Sequence, residues 1–199
     1  MKKSNITRNN IVKSSLGNFL KNGYNNVSLD LIAKELGISK GAVTYHFSSK
    51  LELFEESIKY FLDQINELRV KSIEPIYFKD FLQKFVSGIF QIKNVLFLIT
   101  GIQDENMNYY RMFLDVKNIL GSTNYLNLHF SSSLSEFEQK ILNAVKSGEI
   151  RRDINIKAFL YELLALSEGF YVIQHFIEIE NQEEIANGIF NNIWERIMI

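Results

Sequence analysis

Apolar positions recur along this chain at helical spacing almost throughout. Val12, Leu16, Phe19 and Leu20 follow i, i+4, i+7 and i+8, which predicts an amphipathic helix over about 5–22. Gly23 is a natural stop for it. Ile32, Ala33 and Leu36 form the inner face of a short second helix, with Ser28 as its N-cap. Gly37 interrupts, Ser39 caps a third short helix, and the SSK at 48–50 ends it. Ser49-Lys50-Leu51-Glu52 reads as a capping box that opens a long fourth helix to about Ser72, stopped by Pro75.

Beyond Pro75 the periodicity predicts helices at about 77–93, 95–103 and 106–130. Ser133-Leu134-Ser135-Glu136 is a second capping box, expected to open a helix that ends at Gly148. Asn155 caps a long apolar helix to about Ile179, and a last helix covers about 183–198. No segment alternates at period two and no repeat is present. The expected fold is all-α, with a three-helix head over residues 1–50 and a helical body over 51–199.

The second and third helices have the spacing of a helix-turn-helix. Ala33 is small where the two would cross, and four residues later Gly37 can take the positive φ of a sharp turn. With Ile32, Leu36, Ile38 and Val43 facing inward, Lys40, Gly41, Ala42, Thr44, Tyr45 and His46 are left outside. A recognition helix presents such a face to the major groove. Lys40 can neutralise phosphate or donate to guanine, and Gly41 and Ala42 let the backbone come close. Thr44, Tyr45 and Lys50 can donate to phosphate oxygens, as can the amides near Ser28 and Ser39.

Charge adds to this picture. The formal net charge is −1, but residues 1–55 hold eight Lys or Arg against four acids, so the body is acidic. A basic head suits a polyanionic partner. The chain has no cysteine, which excludes disulfides and thiolate-bound metals, and a single proline, Pro75. The basic start lacks a continuous apolar run, so no signal peptide is expected. The apolar stretch from Ala158 to Ile179 is broken by Glu162, Glu168 and Glu178, which argues against a membrane span. A cytoplasmic protein is expected.

The stretch GYNNVSLDLIAKELGISKGAVTYHFSSKLELF resembles the N-terminal domain of TetR-family transcriptional regulators. The family pattern runs approximately G-[YF]-x-x-[TS]-[VML]-x-x-I-A-x-x-[AL]-G-[VI]-S-x-G-[TA]-[LIV]-Y-x-[HY]-F-x-[SN]-K-x-x-L. The match takes in Gly23 and Tyr24 and runs on from Ser28 to Leu53. It departs at Thr44, where the family usually has a tyrosine that contacts phosphate; Tyr45 stands at a variable position that reads bases or phosphate. AVKSGEIRRDINIKAF also looks like the loop into the last long helices of many members. The resemblance implies a homodimeric repressor of a palindromic operator in double-stranded DNA, released by a small effector.

Catalysis finds little support. The three histidines, His46, His129 and His175, do not pair at ligand spacing. There is no G-x-S-x-G elbow, phosphate loop or dinucleotide fingerprint. No cofactor, metal or enzymatic activity is expected. His46 either touches the DNA backbone or packs and caps the third helix.

The body offers two further expectations. Aromatic residues crowd the middle helices, among them Phe81, Tyr109, Tyr125 and Phe130. They read either as ordinary core or as the wall of an effector pocket, for which Phe61, Phe85, Phe90, Phe97, Gln103, Tyr110, Phe113, Tyr171 and Gln174 are the candidates. Few charges lie among them, so the expected effector is apolar or aromatic. The helix from about 155 is apolar nearly all round, so it is buried on two sides. The resemblance implies a two-fold four-helix interface there, with Leu134, Phe137, Ile141, Leu163 and Phe170 as candidates. The competing class is a helical ligand carrier or interaction module that keeps a helix-turn-helix without using it on DNA.

Overall fold

A computed structural model describes residues 8–71, 77–104, 107–121 and 124–199. Helices dominate: α1 (Arg8–Asn22), α2 (Leu29–Glu35), α3 (Lys40–His46), α4 (Lys50–Lys71), α5 (Phe78–Gly88), α6 (Ile92–Thr100), α7 (Tyr109–Leu120), α8 (Asn124–Ser147), α9 (Ile156–Ile173) and α10 (Gln182–Ile197). A 3-10 turn, Ile89–Gln91, joins α5 to α6. Residues 5–7, Ser72 and Pro75 lie outside the described residues, as do the side chains of Tyr125, His129, Phe130 and Ser133.

The chain divides into two compact units. One holds Met1–Val70 with Val95–Leu126, the other Lys71–Asn94 with Asn127–Ile199. In the first, Leu16, Phe19, Leu20, Ile32, Val43, Phe47, Leu53 and Phe54 are fully buried. Phe54 sets its ring edge against Phe19 at 4.9 Å and tilts against Tyr24 at 4.8 Å. Burial of each such side chain is worth about 1.5–3 kcal/mol, which is how three short helices with modest propensity hold together.

In the second unit α10 packs along α5. Its core joins Phe78, Leu82 and Val86 to Ile141, Leu160, Leu163, Phe190 and Ile193. An antiparallel bridge pairs Ile150 with Met198, and the Arg151 N–H donates to the Ile197 carbonyl at 2.9 Å. The helical run Phe78–Thr100 is long and apolar enough, by length and composition, to cross a membrane. It is two-faced, however: Lys79, Asp80, Lys84 and Lys93 are exposed, while Leu82, Val86, Phe90, Leu96 and Ile99 are buried.

Three expected boundaries move. The helix expected over 106–130 breaks at Gly121, which has φ +72° and ends α7. Only glycine takes that conformation without strain. The expected start at Ser133 does not occur, because α8 already runs from Asn124. A capping box caps only where the preceding residues leave the helix, and here they continue it. α9 stops at Ile173 instead of about Ile179. Beyond it, the His175 and Phe176 amides bond three residues back, to the carbonyls of Val172 and Ile173.

Candidate nucleic-acid interface

The head is built from two serine caps and one glycine turn. The Ser28 hydroxyl accepts the Leu31 N–H at 3.1 Å and starts α2. Gly37, at φ +65°, ends it, and the Ile38 N–H reaches back to the Ala33 carbonyl at 2.9 Å. The Ser39 hydroxyl then accepts the Ala42 N–H at 3.1 Å and starts α3. Such caps are each worth about 1 kcal/mol. Val43 and Phe47 have no exposed surface, so they bolt α3 to the head. Leu36 and Ile38, also expected inward, are half-buried.

This anchoring turns the rest of α3 outward. Lys40, Gly41, Thr44 and Tyr45 are exposed, Ala42 and His46 half-buried. Tyr45 is 85% exposed, so its ring contributes almost nothing to the fold. It stands edge-on to the His46 ring at 5.1 Å. The Thr44 hydroxyl donates to the Gly41 carbonyl at 3.2 Å. Lys40 pairs with Asp30 at 2.7 Å, but both are well exposed, so the pair is weak enough for an incoming anion to displace Asp30.

Lys50 behaves differently. Its ammonium donates to the carbonyls of Tyr24 at 2.9 Å and Val27 at 3.0 Å. Burial pushes its pKa down, partly offset by the charge of Asp115. An ammonium has three donors, and two of them fasten the α1–α2 corner. At the start of α4 the Glu52 N–H donates to Ser49 Oγ at 3.1 Å. Glu52 in turn accepts the Ser48 hydroxyl and N–H, both at 2.7 Å. Those bonds, the hydroxyl's first, hold its carboxyl below the ordinary glutamate value. The expected box forms, with Ser48 taking the return bond.

Several contributors were not foreseen. Arg8 pairs with Glu56 at 2.7 Å and lies 4.7 Å from the Phe47 ring centroid. Asp115 and Arg111 on α7 reach Tyr24 and Lys21 on the head. The pairing distances of about 90 residues leave no local sequence signal for either.

The candidate effector residues fall into separate groups. Phe61 and Phe113 meet at 6.1 Å in the first unit, with Tyr110 stacked on Tyr109 beside them. Phe97 and Gln103 are exposed in that unit. In the second unit Phe90 packs edge-on against Phe170 at 5.0 Å and Phe85 against Phe137 at 5.1 Å. Tyr171 is buried there, and Gln174 Nε2 donates to the Phe170 carbonyl at 3.2 Å.

The candidate interface residues also separate. Leu134, Phe137 and Phe170 are half-buried. Ile141 and Leu163 are 0% exposed within one chain, so they have no surface to offer a second copy. This corrects their expected place: the all-round apolar pattern of α9 does not say which apolar residues face the chain's own core. The exposed positions of α9 include instead Tyr161, Ala165, Glu168, Gly169, Val172 and Ile173, followed by Phe176 at 81%.

Residues 11–57 match the family described as bacterial regulatory proteins, tetR family. The chain is 27% identical over 144 residues to the biofilm operon icaADBC HTH-type negative transcriptional regulator IcaR of Staphylococcus aureus. That alignment covers 67% of this chain and 72% of IcaR. The fold is similar to a TetR-family regulator from Cytophaga hutchinsonii, with a TM-score of 0.73 at 17% identity over 100% of this chain and 98% of that one. It is also similar to AibR, solved with isovaleryl coenzyme A and operator DNA, with a TM-score of 0.65 at 14% identity over 92% and 95% of the two chains. A helix-turn-helix with an outward polar face, the family match over residues 11–57 and the likeness across the whole fold support a TetR-family DNA-binding transcriptional regulator.

Proposed function

We propose that the chain is a cytoplasmic, homodimeric repressor that binds a palindromic operator through α3 and is released by a small apolar or aromatic effector. Residues 1–50 serve as the DNA-binding domain and 51–199 as the effector and dimerisation domain. The observation that carries this reading is the division of α3. Val43 and Phe47 are wholly buried, while Thr44 and Tyr45, which do nothing for packing, face outward. Polar and aromatic groups held on a rigid helix suit contacts to base edges and phosphates. Ser28, Ser39, Lys40, Gly41, Ala42 and His46 complete the surface, and Lys50 adds charge beside it.

Two copies place two such helices about 34 Å apart, one turn of the duplex. The exposed stripe Ala165, Gly169, Val172 and Phe176 on and after α9 suits the contact between copies, because small residues let helices approach closely. Aromatic groups such as Phe61 with Phe113, or Phe90 with Phe170, give apolar contacts for an effector. The AibR complex with a coenzyme A thioester and operator DNA supports the pairing of a small ligand with DNA on this fold. Release then follows as a population shift: the effector favours a conformation whose heads no longer fit the half-sites.

The test is selection of bound fragments from random or genomic duplex, followed by footprinting. A protected two-fold site supports the proposal. Absence of any selected duplex contradicts it and favours a helical interaction module.

A further inference from the structure

The last turn of an α-helix leaves carbonyls that need partners from elsewhere. At the end of α1 the Asn22 carbonyl is closed locally by the Asn26 side-chain amide at 3.0 Å, and the Phe19 carbonyl by the Gly23 N–H at 2.9 Å. The next two are closed from a segment about 90 residues away. The Leu20 carbonyl accepts the Asn108 N–H at 2.9 Å, and the Lys21 carbonyl accepts the Arg111 guanidinium at 2.8 Å. Asn108 is also the N-cap of α7, its side chain accepting the Arg111 N–H. The C-terminal end of α1 therefore meets the N-terminal end of α7, the favourable pairing of two helix dipoles.

The grip continues on both sides. Lys21 Nζ pairs with Asp104 at 2.6 Å. The Asp115 carboxylate accepts the Tyr24 N–H at 2.7 Å. Further back, the tip of the Ile102 side chain rests against the bare Gly17, where a Cβ would lie 2.3 Å from its Cδ1. The corner held in this way, Gly23–Val27, is the same one whose Tyr24 and Val27 carbonyls receive Lys50. α2 begins only two residues after Val27. The start of the helix-turn-helix is thus fixed from two directions, by α4 through Lys50 and by α7 through Arg111 and Asp115.

We propose that Arg111 and Asp115 are positioning residues for DNA binding, which set the α1–α2 corner from α7 and make operator affinity respond to any displacement of α7. The proposal rests on the DNA-binding reading and adds a route of regulation to it. Arg111 and Asp115 stand four residues apart and share one face of α7. Phe113, between them, points elsewhere and packs on Phe61 at 6.1 Å. A small molecule that wedges Phe113 away from Phe61 shifts the helix that holds the corner. The residues facing DNA need not be touched.

The experiment compares the full-length protein with Arg111→Ala, Asp115→Ala and Asp115→Asn. It reads affinity for a selected operator, affinity for a random duplex, and amide exchange at Tyr24, all well below each melting temperature. Asn at 115 keeps an acceptor for the Tyr24 N–H and serves as the rescue. The expected result is an operator affinity about tenfold weaker in both alanine variants, random-duplex affinity unchanged, and faster exchange at Tyr24. Asp115→Asn stays within about threefold of wild type. Alanine variants that keep wild-type operator affinity overturn the proposal. So does an equal loss on operator and random duplex, which marks a merely structural role. A wild-type protein that selects no duplex overturns the DNA-binding reading itself, a result distinct from either.

Discussion

The ammonium of Lys50 donates to the Tyr24 carbonyl at 2.9 Å and lies 4.0 Å from the centroid of the same residue's ring. One side chain thus holds both the backbone and the face of Tyr24 and, through Val27, the approach to α2. The lysine at this place in the TetR-family pattern acquires a structural task next to its proposed phosphate role. Lys50→Ala is therefore expected to lower the stability of the chain by about 1–3 kcal/mol, from the lost charged hydrogen bonds and the cation–π contact. Urea unfolding measures this. In DNA binding the same variant weakens all sequences alike and flattens the salt dependence by about one unit if the third N–H reaches a phosphate. An unchanged slope assigns Lys50 to the fold alone.

Gly41 separates fold from recognition. A Cβ there would meet nothing closer than Ser39 Oγ at 3.7 Å, an ordinary contact. Alanine is the better helix former by about 1 kcal/mol. Gly41→Ala should leave the protein as stable as wild type or more so, while operator affinity falls because the added methyl meets the duplex. Thermal melting and a binding titration together check it; equal affinity removes Gly41 from the interface.

Glu52 gives the head an acid sensitivity. Its folded carboxyl titrates below the ordinary glutamate value because Ser48 donates to it twice. The unfolded chain therefore takes up the proton first as pH falls. The contribution is fully present above the ordinary glutamate value and is lost as pH drops through it toward the lowered one. Unfolding of wild type and Glu52→Gln across that range should show a stability gap that closes on acidification. A gap of constant size contradicts the assignment.

The proposed contact between copies is tested by contrast. Val172→Glu places a charge on the exposed face of α9 and should give folded monomers by light scattering. Leu163→Glu buries an unpaired charge in the core of the second unit and should prevent folding, at a cost of about 3–5 kcal/mol. A Val172→Glu protein that remains dimeric places the contact elsewhere.

The head was legible because its determinants are local. Ser28, Gly37 and Ser39 each act on residues no more than five positions away, and the buried Ile32 and Val43 follow helical spacing. The body was less so. The break at Gly121 depends on a positive φ that sequence does not distinguish from a helical glycine such as Gly17. The serine at 133 has the right partner for a cap but lies in a helix that never starts there. Ile141 and Leu163 looked like interface because periodicity marks an apolar side without naming what covers it. Arg111 and Asp115 act on Lys21 and Tyr24 across about 90 residues, a relation only the folded chain displays.

The central claim is that the outer face of α3 reads DNA. Tyr45 is 85% exposed and Thr44 bonds only within its own helix turn, so alanine at both should leave the fold intact. Footprinting a selected operator with wild type and with Thr44→Ala/Tyr45→Ala is the most direct measurement. The expected result is a protected two-fold site that the variant loses or exchanges for another sequence at unchanged melting temperature. Identical protection by both proteins would contradict the account.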